Sequence, residues 1–241
     1  MERRKVMEER YYKELIIAAV RARLARLGKS ELLGETLMKK PIYEMDEDDL
    51  DTVVRVASEN EIKTYPFKRS EKLMPRVHKV LGFLRGICFE SLLDVGSGRG
   101  AFLFPFMEAF PYIPVTSLEI LEKRIELLSD ISHGGIDRLT LLPVDICKAD
   151  KSIIPDKSHD TVTMLEVLEH IPNVKDAIRE AVRIAKKYVI VTVPSKADDN
   201  PEHIHLLTKE TLTEYFKECG VTKLSFDAVP AHLFMIARLE G

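Results

Sequence analysis

The chain has no tryptophan and only three cysteines, Cys88, Cys147 and Cys219. They are scattered, odd in number and form no C-x-x-C pair, which excludes a disulfide framework and a thiolate zinc site and points to a reducing compartment. No segment approaches the ~20 apolar residues that a membrane span needs. The start, Met1-Glu2-Arg3-Arg4-Lys5, leads into no apolar run of the signal-peptide type. The expectation is therefore a cytoplasmic protein with no membrane partner. Internal repeats and low-complexity linkers are also lacking. Neither sign of charge dominates, with 36 Lys and Arg against 39 Asp and Glu and a net charge of −3. The charge is unevenly placed, however: residues 1–86 carry 19 basic and 15 acidic side chains, while residues 87–241 carry 17 and 24. The amino-terminal part is the more basic, the sign an anionic partner would seek.

A length of 241 residues suffices for a full core plus an extension. Residues 2–27 read as a long charged helix with an apolar stripe of Leu15, Ile16, Ala19, Val20, Leu24 and Leu27, stopped by Gly28. Ser30 is placed to cap a second short helix that Pro41 ends. The run Asp46-Glu47-Asp48-Asp49 complements the dipole of a helix that follows it. After Pro66 and Pro75, a basic helix with Lys68, Arg69, Lys72, Arg76, Lys79 and Arg85 runs to about Gly86. Its apolar stripe of Leu73, Val77, Val80, Leu81 and Leu84 reads as a packed face, and only Tyr65, Phe67 and Phe83 stand near it as aromatics. Base stacking needs more interleaving than this, so nucleic acid is the less favoured partner.

From residue 91 the chain alternates strand and helix. Strands are expected at 91–95, 115–119, 139–144, 159–165 and 188–193, with helices at 100–110, 121–133 and 173–186. Crossovers of this length imply a parallel sheet with right-handed connections. The tail breaks the pattern with a helix at 208–219 and two strands, 221–229 and 232–239, joined at Pro230-Ala231. Strands so closely linked are antiparallel. The class is α/β.

The most informative stretch is Ser91-Leu92-Leu93-Asp94-Val95-Gly96-Ser97-Gly98-Arg99-Gly100. A short apolar run ends in an acid, and three glycines follow at alternate positions. This is a buried strand turning tightly into a helix, with no side chains in the way of a ligand lying across the turn. A dinucleotide site reads G-x-G-x-x-G, with the helix N-terminus on a pyrophosphate. The spacing here is G-x-G-x-G, with Asp94 two residues ahead, and a carboxylate suits a cationic or hydroxyl-bearing ligand better than a diphosphate. Glu119 closes Val115-Thr116-Ser117-Leu118-Glu119. In an open sheet the ligand lies across the strand C-termini, where a carboxylate takes a ribose diol.

The D-x-G-x-G-x-G of Asp94 to Gly100 resembles the first motif of the class I S-adenosylmethionine-dependent methyltransferases, and the antiparallel tail is similar to theirs. The segment Glu166-Val167-Leu168-Glu169-His170 resembles the E-V-L-E-H signature of a branch that includes quinone-biosynthesis O-methyltransferases. The resemblance spans roughly residues 88–241. It implies a Rossmann-like sheet of parallel strands closed by a C-terminal antiparallel hairpin, with residues 87–241 as the cofactor-binding catalytic domain. Residues 1–86 form a helical extension, a lid or a dimer contact, which makes a homodimer through the N-terminal helices one expectation. It further implies that Asp94, Gly96, Ser97, Gly98 and Gly100 hold the methionine, and that Glu119 and Ile120 hold the ribose side. Asp145 and Ile146 take the adenine, while Leu165 and Glu166 line the methyl-donor end. The alternative for Asp145 is a turn residue capping the short helix near 150.

Methyl transfer from a sulfonium needs an aligned nucleophile, exclusion of water and, for a hydroxyl acceptor, a base. His170 is the candidate base. A second reading is metal. Glu166, Glu169 and His170 stand at i, i+3 and i+4, and His203 or His205 follows the fifth strand. These residues resemble the set used by small-RNA 2′-O-methyltransferases of the Hen1 type. Against that stand the early position of the distant histidines and the likeness of His205-Leu206-Leu207-Thr208 to an ordinary capped helix start. The reading adopted is S-adenosylmethionine as cofactor, a small molecule as acceptor, chemistry at oxygen, and no metal ligand assigned. A non-catalytic cofactor-binding module is the other alternative.

Overall fold

The computed structural model describes residues 2–68, 74–197 and 199–239. Arg69, Lys72 and Leu73 of the expected basic helix lie outside them. In chain order the elements are α1 (Glu2–Arg26), α2 (Gly34–Lys39), α3 (Glu47–Glu59), α4 (Pro75–Leu84), β1 (Leu92–Val95), α5 (Leu103–Ala109) and β2 (Val115–Leu118). They continue with α6 (Glu122–His133), β3 (Leu139–Leu142), β4 (His159–Leu165), α7 (Val174–Ile184), β5 (Ala185–Pro194), α8 (Lys209–Glu218), β6 (Lys223–Val229) and β7 (His232–Arg238). One seven-stranded sheet has the order β3-β2-β1-β4-β5-β7-β6. Among the described residues, no helix is long and apolar enough to cross a membrane.

The chain divides into two compact units, residues 1–69 with 121–141, and residues 70–120 with 142–241. In the first, Ile17, Ala18, Val20 and Leu24 of α1 share a core with Leu50, Val53 and Ala57 of α3 and with Ile42 and Met45 between them. A reciprocal cap starts α3, with the Asp49 N–H donating to the Asp46 carboxylate and the Asp46 N–H donating to Asp49. Helix α6 packs on α1, because Gly134 at its end has no side chain. A Cβ there would lie 1.8 Å from the Ala18 carbonyl oxygen. Arg26 reaches Glu126 at 2.7 Å and Asp130 at 2.9 Å on α6. Two sequence expectations are corrected here. Leu27 is 49 % exposed instead of closing the apolar stripe. Ser30 opens a short 3₁₀ turn with no side-chain cap, and α2 begins only at Gly34.

The second unit holds the glycine-rich turn. Strand β1 is buried along its whole length and pairs in parallel with β2 and β4, and β4 pairs in parallel with β5. β7 runs antiparallel to β5 and to β6, so His232 at its start stands opposite Pro194 at the end of β5. The turn between β6 and β7 carries Ala231 at φ 66°. The C-termini of β1, β4 and β5 and the start of β7 therefore share one sheet edge. Helix α4 buries Val77, Val80, Leu81 and Leu84, as its stripe predicts.

Candidate active site

The turn after β1 is built by its glycines in two ways. A Cβ at Gly96 would meet Val167 at 2.8 Å, and one at Gly100 would meet the Phe104 ring at 2.1 Å, so both positions are filled by their neighbours. Gly98 differs. At φ 59°, its missing Cβ would have nothing nearer than the Gly96 carbonyl oxygen at 3.8 Å, leaving open space against bare backbone.

Asp94 is fully enclosed beneath this turn. Its carboxylate accepts from the Ser97 hydroxyl at 2.6 Å and the Thr163 hydroxyl at 2.7 Å, and Ser117 donates to Ser97 at 2.8 Å. Burial raises its pKa to about 6, against the pull of those two hydroxyls. Asp94 is thus an internal brace. Thr163 and Ser117, which complete it, were not singled out from sequence; their signal was a hydroxyl inside an otherwise apolar strand run.

Glu119 is 4 % exposed and faces the same turn. It accepts from the Gly98 N–H at 2.9 Å and from the Ile120 N–H at 2.8 Å. Ile120 beside it is 63 % exposed, a large apolar side chain left on the surface at a strand end. Asp145 caps the 3₁₀ turn Ile146–Lys148 by accepting from the Cys147 N–H at 3.0 Å. Ile146 is 3 % exposed and belongs to the core. Burial and the neighbouring Asp145 push the Cys147 thiol up to about 11, so it stays a thiol.

At the end of β4, Leu165 is half-buried, and Glu166 adopts a left-handed backbone at φ 59°. Its N–H donates to the Thr192 carbonyl at 2.9 Å, and its Oε1 accepts from the Thr192 hydroxyl at 2.9 Å. Its Oε2 lies 2.9 Å from His232 Nε2, and Arg76 Nε is 4.0 Å from Oε1. Thr192, His232 and Arg76 were not singled out as partners from sequence. Nothing local could reveal them, since they come from β5, β7 and α4.

A second cluster follows. His170 is exposed, with Nδ1 3.0 Å from the Glu202 carbonyl oxygen, so Nδ1–H donates there and Nε2 carries the lone pair. Its ring meets His203 edge-on at 4.8 Å. Glu169, which is fully buried, His170 and His203 offer ligand atoms that all lie within 4.8 Å of one another. The geometry thus brings Glu169 and His170 together with His203 and ties Glu166 to other partners.

Residues 90–229, more than half of the chain, match the family described as a methyltransferase domain. A ubiquinone biosynthesis O-methyltransferase from Neisseria meningitidis is 23 % identical over 201 residues, 83 % of each protein. A 27-O-demethylrifamycin SV methyltransferase from Amycolatopsis mediterranei is 27 % identical over 60 % of this chain, which spans 52 % of that protein. Among solved structures, the N-terminal domain of EvdMO1 with SAH bound superposes with a TM-score of 0.57 at 14 % identity, covering 81 % of this chain and 98 % of that one. A likeness at that identity shows the fold. The glycine turn and the acid at the end of β2 both fall within residues 90–229, and the chain belongs to the methyltransferase-domain family as a class I S-adenosylmethionine-dependent methyltransferase.

Proposed function

We propose that the chain transfers a methyl group from S-adenosylmethionine to a hydroxyl of a small-molecule acceptor. The observation that carries this reading is His170. Its ring stands exposed just past the C-terminus of β4, its tautomer set by the Glu202 carbonyl and its Nε2 able to take a proton. The name of the relative from Neisseria, an O-methyltransferase, supports oxygen as the acceptor atom. The bound cofactor supplies a methyl group on a positively charged sulfur.

The residues present fit that cofactor. Gly98 leaves backbone open to close approach, and Gly96, Ser97 and Gly100 shape the turn for the methionine. The Glu119 carboxylate, fixed by two backbone N–H groups, suits the ribose hydroxyls. Exposed Ile120 offers an apolar surface beside it. Asp145 and Ile146 would border the adenine, Asp145 through its carboxylate, while the enclosed Ile146 would act by supporting the wall. Leu165 and Glu166 would border the methyl-donor end.

The test is transfer of labelled methyl from S-adenosylmethionine into extract fractionated into small-molecule, protein and RNA pools. Label should enter the small-molecule pool, and His170→Ala should lower kcat by about 100-fold or more with the affinity for S-adenosylhomocysteine retained. Label confined to RNA or protein overturns the acceptor class.

A second reading has its own observation, the convergence of Glu169, His170 and His203. One carboxylate and two imidazoles suit a divalent ion, and a histidine whose Nδ1–H is held by a carbonyl is oriented as metal-binding histidines are. On this reading the ion lowers the pKa of the acceptor hydroxyl, and His170 is a ligand instead of a base. Calorimetric titration with Mn²⁺ or Zn²⁺ decides. Binding that His203→Ala abolishes, with activity lost on chelation, favours the ion; no heat and no effect of chelators leave His170 as the base.

A further inference from the structure

Glu166 holds a backbone conformation that non-glycine residues rarely adopt and that persists only where the surroundings over-determine it. The surroundings here are a clamp. Thr192 takes both ends of the residue, accepting from its N–H and donating its hydroxyl to Oε1, each at 2.9 Å. His232 Nε2 approaches Oε2 at 2.9 Å.

The other nitrogen of His232 gives the clamp its character. Nδ1 lies 2.8 Å from the Pro230 carbonyl oxygen, which accepts only. The Glu166 carboxylate also accepts only. Each ring nitrogen therefore faces an acceptor, and both bonds form together only when both nitrogens carry protons. The charged group against His232 is Glu166 at the end of β4, whose carboxylate also has Arg76 Nε of α4 at 4.0 Å. The strand neighbours of His232 are Pro194 on β5 and Val229 on β6, which do not titrate. The cluster stands on the sheet edge that carries the glycine turn, at the strand beside β1.

We propose that His232 is a positioning residue for the methyltransferase reaction: bridging the Pro230 carbonyl and the Glu166 carboxylate, it locks Glu166 and so fixes the left-handed turn at the end of β4 against which the cofactor's methionine end is seated. The proposal rests on the reading of Leu165 and Glu166 as the methyl-donor end of the site. Without the His232 ring the clamp opens, and cofactor affinity falls.

The experiment is calorimetric titration of the full chain with S-adenosylhomocysteine, with thermal melting alongside, for wild type, His232→Ala and His232→Gln. Alanine removes both contacts of the ring, whereas glutamine still offers a donor to Glu166. His232→Ala should weaken binding by about tenfold, and His232→Gln should recover most of that loss, while both melt close to wild type. Wild-type affinity from a folded His232→Ala overturns the proposal, as does a folded His232→Gln that binds no better than His232→Ala. If His232→Ala does not fold, His232→Phe, which keeps a ring and loses both contacts, takes its place with the same two outcomes. Wild type that binds no S-adenosylhomocysteine at all fails the cofactor-site reading instead, and the proposal falls with it.

Discussion

Asp94 shows how one residue can be legible in a motif while the partners that hold it are not. The sequence gives an acid two positions before a glycine turn, and its likeness to a family motif makes it a cofactor contact. The structure encloses it at 2 % exposure and surrounds it with the hydroxyls of Ser97 and Thr163. Thr163 is 69 residues away in sequence, and only the pairing of β1 with β4 brings it across. Burial has a consequence for stability. Burial holds the native carboxyl at about 6 against the ordinary aspartate value of 3.8, so between these values the native state keeps a proton that the unfolded chain has released. Stability therefore falls as pH rises through that window, and the deficit is complete above about pH 6. A shift of this size corresponds to about 3 kcal/mol, an upper bound. Asn cannot ionise, and its amide can accept from one hydroxyl and donate to the other. Asp94→Asn should remove this pH dependence: its stability relative to wild type should rise by up to ~3 kcal/mol between pH 4 and pH 7.5 in urea denaturation. An unchanged difference across that range would show that Asp94 is not the titrating group.

Elements were more legible than side-chain partners because hydrophobic periodicity is local and side-chain pairing is not. The alternation of β1 through β5 with α5, α6 and α7 was readable, as was the antiparallel closure by β6 and β7 that separates this sheet from a symmetric dinucleotide-binding one. Boundaries moved where tertiary packing extended an element: β5 was expected from 188 and begins at Ala185. The site at the sheet edge followed the same division. Gly96, Gly98, Gly100 and Glu119 are clustered by a single strand-turn-helix unit and its neighbouring strand, so a motif finds them. The clamp on Glu166 takes one residue each from α4, β5 and β7, which no periodicity links. The convergence of His170 with His203 lay between these cases. Helical spacing placed Glu166, Glu169 and His170 on one face, but the 3₁₀ turn Leu168–His170 and the left-handed backbone at Glu166 turn that first carboxylate away from the other two.

At the scale of the whole molecule, the compact units are not consecutive stretches of chain. Residues 121–141 join residues 1–69, and α4 belongs with the unit that holds β1 and the glycine turn. The close seat of Gly134 against Ala18 and the ion pairs from Arg26 to Glu126 and Asp130 tie α6 to α1. Composition places a boundary near residue 86, because the basic helix reads with the extension. A variant starting at residue 87 tests what that boundary means physically. It loses α4, whose Val77, Val80, Leu81 and Leu84 are at most 2 % exposed. Burial of each such side chain is worth roughly 1.5–3 kcal/mol, so the four together match the ~5–15 kcal/mol that a folded domain has in total. The same cut strips α1 from α6, leaving the surface around Gly134 without its partner. The variant comprising residues 87–241 should therefore show no cooperative melt by circular dichroism and should aggregate. A variant starting at residue 70 keeps α4 and loses only the α1 and α3 packing, and it should retain strand signal with a lowered, broadened transition. A sharp melt from residues 87–241 would instead mean that everything before residue 87 is an appendage to an independently stable sheet.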